Sequence, residues 1–152
     1  MTLIFAYGSL LDDASRAATL GRHVPCDAPA ALCEHAAAWC VTDGRETYLG
    51  LVPAGGSVAV GAVFEASVED VRRLRARERG YRLRRLPRRL FVSPAPAADS
   101  HAFVPAARGA CRSSPPPSRR YVRLVTRGFR RVRLGRPPPL TGFVGAAHAA
   151  PA

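Results

Sequence analysis

A mixed fold of antiparallel strands and a few short helices in one domain is what this sequence predicts. Three observations carry that reading. Short apolar runs of β-prone residues, split by glycine-containing turns, fill residues 30–66. Helix-start signals stand at Asp12-Asp13, at Ser67-x-x-Asp70 and at Ser118. The length of 152 residues suffices for one hydrophobic core and is short for two.

Taken in chain order, residues 2–7 alternate and are β-prone, so a first strand should run into a turn at Gly8-Ser9. A short helix follows: Asp12 or Asp13 can accept from the freed N–H groups at its start, and Gly21 can supply the left-handed stop. "AAAWCVT", "TYLGLVP" and "SVAVGAVFEA" read as strands separated by turns at Asp43-Gly44 and Gly55-Gly56. Ser67 and Asp70 then form a capping box, with Val68, Val71 and Leu74 at helical spacing behind it. That helix should reach about Glu78 and end at Gly80. "YRLRRL" and "RLFVSP" alternate apolar residues with arginine, as strands with one wet face do. Residues 106–117, mostly Pro, Ser and Ala, read as a surface loop. Ser118 should cap a last helix that carries Tyr121, Val122, Val125 and Phe129 on adjoining faces. Pro137-Pro138-Pro139 bars regular helix, so a single domain is expected over residues 1–144 with a flexible tail at 145–152.

No apolar stretch approaches the roughly eighteen residues that a membrane span needs. No basic residue precedes the first apolar run, and Asp12-Asp13 stand where a signal-cleavage site would need small residues. A cytoplasmic protein with no membrane association is the expectation. The net charge is +12, and all 23 basic residues are Arg in a chain without Lys, Asn or Gln, a composition that GC-biased coding produces. The arginines are nonetheless uneven, with ten between Arg72 and Arg89 and eight between Arg119 and Arg136. Such stretches can be solvated faces, can recruit a small anionic substrate or can bind nucleic acid. The third reading is disfavoured, because the only aromatics in or next to them are Tyr81, Phe91, Tyr121 and Phe129, too few to stack bases.

Cys26, Cys33 and Cys40 are spaced seven apart, which matches no zinc-binding pair, and Cys111 stands alone. Small buried thiols are the better reading than Cys33-x-His35 as a chelate. The histidines have no Ser or Cys motif that would build a triad. No metal and no cofactor is expected.

Two features carry candidate chemistry. A strand ending in "YGSL", residues 7–10, turns several backbone N–H groups into one concave turn, where a carboxylate or phosphate oxygen can sit; the same motif can also be only a turn. Glu78 is the only acid between Arg72 and Arg89 and stands where a helix ends, a place the helix dipole makes unfavourable for a carboxylate and the arginines make favourable. It reads either as an ion-pair partner on a basic surface or as a functional acid.

Together, "FAYGSLL", then "AAWCVTDGRETYLGLVPAGGSVAVGAVFEAS", then "RERGY", then "PSRRYVRLVTRG", in this order, resemble the γ-glutamylcyclotransferase superfamily, including its γ-glutamylamine-cyclotransferase and AIG2-like branches. The resemblance runs from about residue 3 to 128. It implies an α+β fold, a small mixed β-barrel with a few short helices. It implies that Tyr7, Gly8, Ser9 and Leu10 hold the α-carboxylate and amino end of a γ-glutamyl group and that Glu78 is the catalytic acid/base. The implied reaction is release of 5-oxoproline by attack of the substrate's own α-amino group, which needs no protein nucleophile and no cofactor. The implied partner is a small γ-glutamyl substrate.

Arg75 replaces an acid that the family often has, and the chain beyond Gly128 departs from the usual ending. Leu11-Asp12 stand where the glutathione-specific branch usually has an aromatic, which leans away from glutathione. γ-Glutamylamines, γ-glutamyl amino acids and γ-glutamyl-protected biosynthetic intermediates stay open as substrates. A non-catalytic member that binds a small anion or a protein is the alternative function, and a basic nucleic-acid-binding protein ranks below it.

Overall fold

The structure, a computed structural model, describes residues 1–107 and 114–140. In chain order it has strand β1 (Thr2–Ala6), helix α1 (Asp13–Leu20), strands β2 (Ala28–Thr42) and β3 (Thr47–Ala66), helix α2 (Val68–Arg77), strands β4 (Tyr81–Leu86) and β5 (Ser100–Pro105), and helix α3 (Arg119–Val132). The expectations for the tail at 145–152 and for half of the 106–117 loop fall outside the described residues.

All three helices begin where local chemistry places them. Asp12 accepts from the Ser15 N–H at 2.8 Å, and Gly21 closes α1 in the left-handed conformation at φ 72°. Ser67 and Asp70 make both halves of the capping box on α2. Ser118 accepts from the Tyr121 N–H at 3.1 Å to start α3. The apolar face expected for α2 is narrower than its spacing implies: Leu74 is buried, whereas Val68 is 88% exposed.

The five strands form one sheet in the order β2-β3-β1-β5-β4, antiparallel throughout except where β1 runs parallel to β5. β2 and β4 are its edges, yet the segment after β4 comes back to β2. The Val92 N–H donates to the Ala31 carbonyl at 2.8 Å, and Leu32 and Phe91 form a single antiparallel bridge. The sheet is therefore curled into a half-barrel, which is the mixed α+β class expected. Ile4, Phe5, Leu49, Leu51 and Phe64 from the sheet are buried with Leu11, Leu20, Leu74, Val125 and Phe129.

Three strand expectations are corrected. Gly55-Gly56 does not separate two strands, because β3 runs through it. The pairing passes from Cys33↔Val58 to His35↔Pro53, and the extra residues bulge out with Gly56 at φ 73° and Glu34 at φ 59°. "RLFVSP" is not a strand: Arg88–Leu90 make a 3₁₀ turn after Pro87, and Phe91 packs edge-on against Phe5 with ring centroids 5.5 Å apart. β5, which contains His101 and Phe103, has no sequence expectation behind it. Its four buried residues cover it from both sides, so it lacks the alternation that marks a half-exposed strand.

The cysteine reading agrees with the placement of two thiols. Cys26 and Cys40 are buried, which pushes both up to about 11, while Cys33 is partly exposed and Cys111 lies outside the described residues. Among the described residues no helix is long and apolar enough to cross a membrane.

Candidate active site

β1 delivers Tyr7 to the mouth of the curled sheet, and Gly8 then bends the chain into a 3₁₀ turn, Ser9–Leu11. The Leu11 N–H donates to the Gly8 carbonyl and the Asp12 N–H to that of Ser9. α3 clamps this turn from outside. A Cβ on Gly128 would lie 2.6 Å from Leu11 Cβ and 2.8 Å from the Asp12 amide, so only glycine permits the approach. Arg127 makes a two-armed contact with the Asp12 carboxylate, and its hydrogen bond is the main reason that Asp12 sits below the usual carboxylate range.

From inside, Arg16 of α1 holds the same turn. It is fully buried, an unusual place for a guanidinium. Its Nη1 donates to the Leu10 carbonyl at 2.7 Å, its Nε to the Val24 carbonyl at 2.8 Å, and its Nη2 to Asp13 at 2.6 Å. The guanidinium carbon lies 5.6 Å from the centroid of the Phe64 ring.

Glu78 arrives from the other direction. It is the C-cap of α2, with its N–H donated to the Leu74 carbonyl at 2.8 Å, and Gly80 at φ 84° then turns the chain into β4. Its side chain is only 14% exposed. Tyr7, Gly8, Ser9, Leu10 and Glu78 all line one small cavity, so the fold brings together every site residue that the sequence singled out. Tyr81, Tyr121 and Phe103 complete its walls. The free volume is about 30 Å³, space for roughly two waters.

Burial pushes the Glu78 carboxyl above its ordinary range, and the Arg77 guanidinium, with Nε 3.5 Å from Glu78 Oε1, pulls it partly back. Arg77 is itself fixed on several sides. It donates to Ser9 Oγ at 2.9 Å, to Ser15 Oγ at 2.9 Å and to Thr19 Oγ1 at 2.6 Å, which ties the end of α2 to α1 and to the turn. The Tyr7 hydroxyl donates to the Phe103 carbonyl at 2.5 Å, and that of Tyr81 to the Leu49 carbonyl at 2.5 Å. Tyr7, Tyr81 and Tyr121 are all raised, first by burial and further by the Glu78 carboxylate, so their hydroxyls keep their protons. Tyr7 and Tyr81 give their O–H groups to those carbonyls, so the backbone amides of the turn are what suits an anionic ligand, with the Glu78 carboxyl beside them for proton transfer.

Sequence reasoning missed Arg77 and Arg16 and read Tyr121 only as part of a helix face. The arginines are camouflaged among many others. Tyr121 had a usable signal, since it stands one and two turns before the buried Val125 and Phe129 and must point inward with them. Its ring meets Trp39 and Tyr48 edge-on, and a Cβ on Gly8 would come within 3.3 Å of its hydroxyl.

Residues 4–123 match the family model described as gamma-glutamyl cyclotransferase, AIG2-like. Among solved structures the chain is similar to one described as a gamma-glutamyl cyclotransferase, at 16% identity over 88% of this chain and 81% of that one, with a TM-score of 0.73. It is also similar to an uncharacterised protein from Homo sapiens, at 16% identity over 88% and 81% of the two chains, with a TM-score of 0.68. A third is YkqA from Bacillus subtilis, at 17% identity, where the likeness covers 85% of this chain but 48% of that one, with a TM-score of 0.67. At these identities the structural likeness shows a shared fold. No curated protein matches the chain in sequence.

Proposed function

Because this chain belongs to the gamma-glutamyl cyclotransferase, AIG2-like family, we propose that it releases 5-oxoproline from a γ-glutamyl amide, with Glu78 as the acid/base. The observation that carries the proposal is the shared cavity: a buried carboxylate faces the anion-suited turn of residues 7–10 although the two are far apart in the chain.

The first N–H groups of a short helical turn have no partner within it, so the amides at Gly8, Ser9 and Leu10 are the donors for the substrate α-carboxylate. Held there, the α-amino nitrogen reaches back to the γ-carbonyl carbon. A carbon–nitrogen bond forms to close the five-membered ring, and the bond to the amine half breaks. Of the three protons on the substrate ammonium one stays on the ring nitrogen. Glu78 takes the other two in turn and returns them to the departing nitrogen, which leaves as an ammonium ion. A raised carboxyl pKa makes Glu78 the stronger base for that first proton. Orientation supplies the larger share of rate, since well-placed ring closures reach effective molarities on the order of 10⁵ M or more, and the base adds about 10²- to 10⁴-fold.

The test is incubation of the purified chain with a panel of γ-glutamyl amines and γ-glutamyl amino acids, with 5-oxoproline as the readout; silence across the panel overturns the proposal. On a substrate that is turned over, the acid limb of the pH profile of kcat/KM is expected above the ordinary carboxylate range, because activity rises as Glu78 loses its proton. Arg77→Gln removes the charge that favours the carboxylate, so the limb moves to higher pH; Arg77→Lys restores it in part. A purely structural role for Arg77 would lower the rate without moving the limb.

A further inference from the structure

Beside the Glu78 cavity lies a much larger groove, of about 670 Å³, between α1 and α3. Arg77 links the two: it lines the groove, while its Nε lies 3.5 Å from Glu78 Oε1 and its Nη2 donates to Ser9 Oγ, both residues of the cavity. Arg120, Arg123 and Arg127 of α3 line the opposite wall, and among the described residues no carboxylate lines the groove. Spacings of three and four residues put these three arginines on one face of α3.

The charges in it are unevenly compensated. Arg127 is paired with Asp12 and Arg77 with Glu78. Arg120 and Arg123 have no acidic partner within ion-pair distance among the described residues, and both are exposed. They stand near the start of a helix whose first turn carries no acid, where the dipole adds to their mutual repulsion. Two uncompensated guanidiniums in a concavity of small-molecule size call for a compact dianion, and the Ser15 and Thr19 hydroxyls on the α1 wall are already turned to Arg77.

The geometry points to this groove as the binding site for a dianionic group, a phosphate or a pair of carboxylates, carried on the amine half of the γ-glutamyl substrate. The inference rests on the function proposed above. With the γ-glutamyl head held at the turn beside Glu78, the amine half extends beyond it, and the groove that Arg77 links to that turn is the neighbouring cationic space. A flat basic stripe would suit a polymer; here the positive charge is gathered in a recess next to the reacting carboxylate.

The experiment compares kcat/KM for three compounds: γ-glutamyl methylamide, which is neutral on its amine half, γ-glutamylaspartate, and γ-glutamyl phosphoethanolamine. At constant ionic strength one or both of the dianionic compounds is expected to exceed the methylamide by tenfold or more, and the better of the two identifies the anion. In Arg120→Ala/Arg123→Ala the ratio to the methylamide collapses towards unity; both side chains are exposed, and a thermal melt checks that the fold persists. Equal kcat/KM for all three compounds in the unmodified protein overturns the groove assignment and leaves the proposed reaction standing. If no compound yields 5-oxoproline, the proposed reaction fails, and calorimetric titration with inorganic phosphate decides the groove alone. Binding that is lost in the double variant supports the site, and no binding overturns it.

Discussion

Glu78→Gln is expected to lower turnover of a γ-glutamyl substrate by about 10²- to 10⁴-fold while the protein stays folded. Glutamine has nearly the same shape and keeps the C-cap position, where the contact to Leu74 is made by the backbone. What it loses is the ability to take a proton from the substrate ammonium and return it to the leaving nitrogen. The same substitution has a stability signature of known sign. Glu78 has a raised pKa in the folded state, so the native protein holds that proton more tightly than the unfolded chain does. The stabilisation from the protonated carboxyl is full below the unfolded pKa and is lost as pH rises through the folded value. Glutamine is neutral at every pH, so the variant is expected to melt above the parent at pH 8, with the gap closing below about pH 4. Scanning calorimetry at the two pH values checks this, and turnover at the parent rate would remove Glu78 from the mechanism.

Arg16→Ala is expected to destabilise the protein by about 3–5 kcal/mol, the range for truncating a large, fully buried side chain to alanine. The side chain is fully buried and makes hydrogen bonds to the carbonyls of Leu10 and Val24 and to Asp13. Removing it strips those buried acceptors of their donor and leaves a cavity in the packed interior. At this chain length such a loss lowers Tm by about 10 °C or more, a large part of the total stability of an ordinary domain. Arg16→Lys is expected to recover little, because one ammonium cannot reach three acceptors that a planar fork spans. The effect extends to the site, since Leu10 belongs to the turn beside Glu78: denaturant melts read the stability, and a raised KM in the surviving fraction reads the loosened turn.

The parts of the fold legible in the sequence are those decided by neighbours in the chain. Asp12, Ser67 and Ser118 start their helices through bonds to backbone groups three residues away, and Gly21 ends α1 with its own φ. Where strands meet distant partners the reading weakens. Gly55-Gly56 looks like a hairpin turn from its composition, and only the length of β2 beside it makes it a bulge within one strand. Phe91 has a strand-like context, but Pro87 and Pro94 flank it and the packing against Phe5 leaves it one bridge to β2. β5 escaped notice because burial on both faces removes the periodic signal.

The site divides along the same line. By itself the sequence determined the two chemical halves, the "YGSL" turn and the acid at a helix end, because each is a short motif whose meaning comes from adjacent residues and from resemblance to a family. Tertiary structure alone decided that the halves share a cavity and that Arg77 spans from Glu78 to Ser9. It also separated one buried arginine, one tethering arginine and two that line a groove without an acidic partner from a field of 23 identical side chains. The physical reason is that an arginine's role is set by what surrounds it, the carbonyls, carboxylates and water within a few ångströms, and those neighbours come from other elements of the fold.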